Sequence, residues 1–249
     1  MLLGYSKSTP VVLNRRYRGH MAIIGSDASK CSALVRKEIL ANMSRYSKFY
    51  IIADFLHYDD YKEFINNKNV QILGYADWNN EFIYKIVKEC SCTDTIYVYI
   101  DDAVLMDFEQ QDVSLRLVGQ LQDYDIRVTY VFNEYDANKE SCFKLCDQFL
   151  FTELCDDDMD SFPERYLDSD MRSYLVEPRE CENSVRCVYR DLFLDTEFYV
   201  EVNVKHAFYD NIHFVSAEPI KKRFGHNVFS KDTVAQIGKK LQRMVATFC

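Results

Sequence analysis

Six apolar runs punctuate the first 150 or so residues: 20–25 (HMAIIG), 48–54 (KFYIIAD), 69–73 (NVQIL), 95–101 (TIYVYID), 126–132 (IRVTYVF) and 147–152 (DQFLFT). Most run on without alternation, as strands covered on both faces require. Between them, apolar residues recur at helical spacing near 30–46, 58–66, 79–91, 111–124 and 138–146. In the first window Leu34, Val35, Ile39, Leu40 and Met43 share one face. Strands alternating with helices of this length predict βαβ units: an α/β fold with a mainly parallel central sheet flanked by helices. Such sheets bind ligands at the carboxyl ends of their strands.

The pattern breaks beyond residue 155. CDDDMDSFPERYLDSDMRS reads as a polar, acidic connection. Residues 186–204 predict two strands or a hairpin, NIHFVSAEP a further strand, and 231–247 an amphipathic helix with Val234, Ile237, Leu241 and Val245 on one face. The expected organisation is a core over 1–155 and a C-terminal β/α extension over 156–249 that completes or decorates the same domain.

Composition narrows the picture. The 249 residues suffice for a sizeable core. No segment approaches the roughly 20 apolar residues of a membrane span, and the N-terminus lacks a secretory apolar region. Any membrane anchor is therefore expected in another chain or in further parts of a longer protein. The nine cysteines include Cys31, Cys90, Cys142, Cys146 and Cys187 in or beside apolar runs, which predicts reduced thiols of a cytoplasmic protein. No histidine completes a zinc-ligand spacing, and His20, His57, His206, His213 and His226 show no base–nucleophile pairing. Charge is uneven. Residues 1–20 carry four basic side chains and 221–249 carry seven, so the acidic excess lies in the middle of a chain whose net charge is −9. An acidic body argues against broad, non-specific nucleic-acid binding.

The candidate chemistry starts at Gly25. The phosphate-loop pattern G-x-x-x-x-G-K-[ST] wraps phosphates with backbone N–H groups, a lysine and a metal-binding hydroxyl. Here Gly25, Ser26, Asp27, Ala28, Ser29, Lys30, Cys31 and Ser32 fill its eight positions. Gly25 and Ser32 match at the ends. Lys30 stands where the second glycine belongs and Cys31 where the lysine belongs. In an unrelated doubly wound fold, Ser26, Asp27 and Ser29 would merely cap the next helix. About 70 residues on, TIYVYIDD is a strand pattern ending in Asp101 and Asp102, and a later strand pattern ends at Asn133.

This order resembles the FtsK/HerA branch of P-loop motor ATPases over about residues 10–160. Within it, the chain resembles a degenerate C-terminal ATPase domain of EssC/EccC, the membrane-anchored motors of type VII secretion. The resemblance implies a RecA-like P-loop core and a degenerate Walker A loop at 25–32. It implies a vestigial Walker B and sensor at Asp101, Asp102 and Asn133, with Ser32 and Asp101 holding Mg if a nucleotide binds. ATP and Mg are then expected to bind weakly or not at all, leaving an impaired, ATPase-like domain. Its expected role is substrate recognition and regulation of neighbouring ATPase domains, in the cytoplasm and associated with the membrane through other parts of the full-length protein. The implied partners are the motor's other ATPase domains, exported proteins and further copies in an oligomer, without a specific nucleic acid. Arg172, Arg186 and Arg190 are the arginine-finger candidates. The alternative is an active motor subunit that uses Lys30 and Ser32 with Asp101 and Asp102 to translocate protein or DNA.

Overall fold

The computed structural model describes residues 2–6, 9–13, 15, 19–54, 56–90, 95–120, 124–176, 184–203 and 215–219. By internal contacts the chain divides at Pro219. Residues 220–249, with the amphipathic pattern at 231–247, lie outside the described residues.

A short antiparallel hairpin, β1 (Leu2–Ser6) and β2 (Thr9–Val12), opens the chain. The six apolar runs then form six strands: β3 (Met21–Ile24), β4 (Ser47–Ile52), β5 (Val70–Leu73), β6 (Thr95–Ile100), β7 (Ile126–Phe132) and β8 (Gln148–Phe151). All six pair in parallel, in the spatial order β8-β3-β7-β6-β4-β5. β3 lies between β7 and β8, and all four of its side chains are buried, which is why its run does not alternate. β9 (Ser184–Asp191) adds antiparallel to β8, followed by β10 (Thr196–Asn203) and β11 (Val215–Pro219), to give nine strands in one sheet.

Helices α1 (Ala28–Asn42), α2 (Asn80–Cys90), α3 (Phe108–Gln120) and α4 (Glu140–Leu145) occupy four of the expected windows. The window at 58–66 instead forms a 3₁₀ segment, Tyr58–Phe64, which buries Tyr61 and Phe64. Leu34, Val35 and Ile39 of α1 are fully buried. Arg15 is buried at the amino end of the sheet. It pairs with Glu38 of α1 at 3.1 Å and donates to Thr129 Oγ1 and to the carbonyls of Gly19 and Val128.

The acidic stretch after residue 155 departs from expectation. It folds as α5 (Asp156–Ser161) and α6 (Ser169–Val176). Its sparse apolar residues are the cause. Phe162 stacks edge-on against Phe143 and Phe151, while Tyr166 lies 5.0 Å from the ring of Phe149. Met159, Leu167 and Met171 are buried beside them. Pro163 interrupts the helical period, so no single amphipathic pattern is visible in the sequence.

Candidate phosphate-loop and acid-pair site

The carboxyl ends of β3, β6 and β7 carry the residues that the sequence singles out. Gly25 extends β3 by donating its N–H to Phe132 O at 3.0 Å. On the other side Thr152, one residue past β8, places both its N–H (2.7 Å) and its hydroxyl (3.1 Å) on Ile24 O. A Cβ on Gly25 would sit 1.7 Å from Thr152 Oγ1. Gly25 has no positive φ. The glycine is demanded by the close approach of the β8 segment.

α1 begins at Ala28, so Gly25–Asp27 alone bridge strand and helix. Ala28, Ser29, Lys30, Cys31 and Ser32 form its first turns. Asp27 is the N-cap, its carboxylate accepting from Lys30 N at 3.2 Å. Cys31 turns inward, donating its thiol to Gly25 O at 3.5 Å. Burial pushes that thiol up to about 12, so it carries no charge at neutral pH. The Lys30 ammonium is bonded to the Glu153 carboxylate and lies 3.4 Å from Asp27. Ser26 faces the same segment: its N–H donates to Glu153 O at 2.9 Å, and its hydroxyl donates to Asp158 Oδ2 at 2.9 Å.

The acid pair follows β6. Asp101 continues the ladder by donating its N–H to Ile52 O. Its side chain is buried, with Oδ2 accepting from Tyr61 OH at 2.9 Å and from Ser32 Oγ at 3.4 Å. Burial raises its pKa to about 6, against the opposing effect of the Tyr61 hydrogen bond and of nearby His57. Asp102 adopts a left-handed backbone (φ 54°). Its Oδ1 accepts from Asn133 Nδ2 at 3.0 Å, and partial burial raises its carboxyl too. Tyr75 OH bonds to both aspartate carbonyls. Thus Ser32 meets Asp101 and Asn133 meets Asp102, although the four come from three elements far apart in sequence.

Five contributors carry no motif: Tyr61, Tyr75, Thr152, Glu153 and Asp158. An acidic turn after β8 is all the sequence shows of the last two. Arg172, Arg186 and Arg190 are each engaged within the chain, with Asp160, with the Tyr174 carbonyl and ring, and with Asp168 and Glu197 respectively. As arranged, the residues do not fit a magnesium nucleotide. The one loop ammonium is paired, Asp101 accepts from a tyrosine, and three carboxylates (Asp27, Glu153, Asp158) lie against Lys30 or the Ser26 hydroxyl. No helix among the described residues is long and apolar enough to cross a membrane.

No family model and no curated protein matches the chain. Solved structures match its fold. EccC ATPases 2 and 3 of Thermomonospora curvata, in complex with a signal sequence peptide, superpose with a TM-score of 0.55 at 10% identity, over 80% of this chain and 40% of that one. The cytoplasmic domain of the type VII secretion ATPase EccC from the same organism gives 0.54 at 9% identity, over 89% and 26%. B204, the DNA-packaging ATPase of Sulfolobus turreted icosahedral virus, gives 0.55 at 12% identity, over 84% of this chain and 100% of B204. The chain thus matches less than half the length of either EccC structure. At these identities the likeness is one of fold: the chain shares the α/β fold of the EccC and B204 ATPase domains.

Proposed function

We propose that this chain is a non-hydrolysing ATPase-fold domain of a type VII secretion-like motor, which recognises exported protein and regulates neighbouring ATPase domains. One observation carries the reading: the lysine position of the loop holds a buried, neutral thiol, while the adjacent ammonium of Lys30 is tied to Glu153. Loss of one preorganised electrostatic partner commonly costs about 2.7–4 kcal/mol, or roughly 10²–10³ in rate. Exposed apolar side chains support a docking role. Leu56 and Leu105, on the connections that follow β4 and β6, are 70% and 52% exposed, and Phe108, the first residue of α3, is 81% exposed. Association with a membrane would come through other parts of the assembly. Titration calorimetry with Mg-ATP tests the reading: no binding is expected, and a Kd of about 10 μM or tighter overturns it.

A second reading has its own support. B204 is matched over its whole length, and the Ser32 hydroxyl and the Asn133 amide reach the Asp101 and Asp102 carboxylates respectively. The chain would then be an active motor subunit that packages or translocates DNA or protein. ATP turnover abolished by both Lys30→Ala and Asp102→Ala, with a salt-sensitive duplex gel shift, would favour DNA transport. The acidic net charge of −9 weighs against that.

A further inference from the structure

We propose that the segment Thr152–Asp158 is an autoinhibitory strap, which closes the Gly25–Ser32 loop by placing the chain's own carboxylates where a phosphate would lie. The inference rests on the non-hydrolysing reading above and names what holds the loop shut. Four residues tie the segment down through six hydrogen bonds. Thr152 bonds twice to Ile24 O, beside Gly25. Glu153 accepts from Ser26 N through its carbonyl and from Lys30 Nζ through its carboxylate. Cys155 N donates to Ser26 Oγ at 3.0 Å. That same hydroxyl donates to Asp158 Oδ2. Ser26 is thereby used as donor twice and as acceptor once.

The chemistry of the contact is that of a bound anion. A phosphate at such a loop takes backbone N–H groups, a hydroxyl and an ammonium. The strap takes the Ser26 N–H, the Ser26 hydroxyl and the Lys30 ammonium. The Lys30 and Glu153 side chains are 20% and 21% exposed, so the pair is shielded from solvent but not sealed. The Asp27 carboxylate at the helix N-terminus adds like charge, so any incoming phosphate meets repulsion as well as a filled position. The strap comprises the turn after β8 and the first residues of α5, and the two anionic side chains that make its contacts, Glu153 and Asp158, can be neutralised without changing their shape.

The test uses the full chain with Glu153→Gln and Asp158→Asn, and Mg-ATP and inorganic pyrophosphate as probes by calorimetry. The wild type should bind neither. The double variant should bind at least one, about tenfold or more above the wild-type detection limit, and Lys30→Ala added to it should remove the gain. A double variant that melts like wild type yet stays silent overturns the strap and leaves the non-hydrolysing reading standing. Tight Mg-ATP binding by the wild type overturns both. Should the double variant not fold, lysine acylation mapped by mass spectrometry on the wild type decides. Lys30 should react more slowly than exposed Lys62 at low salt, and the gap should close as salt screens the pair. Equal rates at low salt overturn the strap.

Discussion

Substituting Gly25 by alanine separates a steric role for this glycine from a phosphate-binding one. The added methyl would sit 1.7 Å from Thr152 Oγ1, and 3.1 Å from both Thr152 Cβ and Cys31 Sγ. None of these neighbours is free to yield. Thr152 is 1% exposed and doubly bonded to Ile24 O, while Cys31 is fully buried in the first turn of α1. Overpacking of this kind costs about 1–3 kcal/mol and occasionally more. In a chain of this size, each kcal/mol corresponds to about 2–4 °C in Tm, so Gly25→Ala should melt roughly 2–12 °C below wild type. Thr152→Ala alone should cost about 1 kcal/mol, because Ile24 O keeps its 2.7 Å bond from the residue 152 N–H. The double variant should lose less than the sum of the singles by about 1 kcal/mol or more, since the worst contact is then gone. Thermal melts of the four proteins measure this. An unchanged Tm for Gly25→Ala, or strict additivity in the double variant, refutes the steric account.

Two further outcomes follow from buried charge. The Asp101 carboxyl titrates at about 6 in the fold against 3.8 for the free group, so between those values the native chain keeps a proton that the unfolded chain has lost. Stability therefore falls as pH rises through that window, by about 3 kcal/mol at 1.36 kcal/mol per unit. Asp101→Asn should accordingly be the more stable protein at pH 7 and should lose that advantage near pH 4. Denaturant unfolding across pH checks this, and an advantage that grows toward low pH contradicts it. Arg15→Met should cost about 3–5 kcal/mol, because it strands Glu38 in the core without its partner. Adding Glu38→Gln should recover part of that, read as denaturation midpoints at constant m.

Much of the scaffold is legible in one dimension. Runs such as MAII and TIYVYI are apolar on both faces, so they belong inside a covered parallel sheet whatever their neighbours. The helix between 28 and 42 and the two carboxylates after β6 follow from local pattern. The positions of Ser32, Asp101, Asp102 and Asn133 at the carboxyl ends of strands follow from βαβ topology.

The state of the loop is decided in three dimensions. Gly25 matches a phosphate-loop glycine in sequence, and only the approach of Thr152 from a strand more than 120 residues away shows which neighbour excludes a side chain there. Lys30 matches an offset cation, and only the turn after β8 brings Glu153 to neutralise it. Tyr61 comes from an irregular 3₁₀ segment that carries no motif, yet it supplies the hydroxyl on Asp101. The physical reason is the same each time. Hydrophobic period is written residue by residue, whereas charge pairing and steric exclusion depend on which distant segments the sheet order makes adjacent.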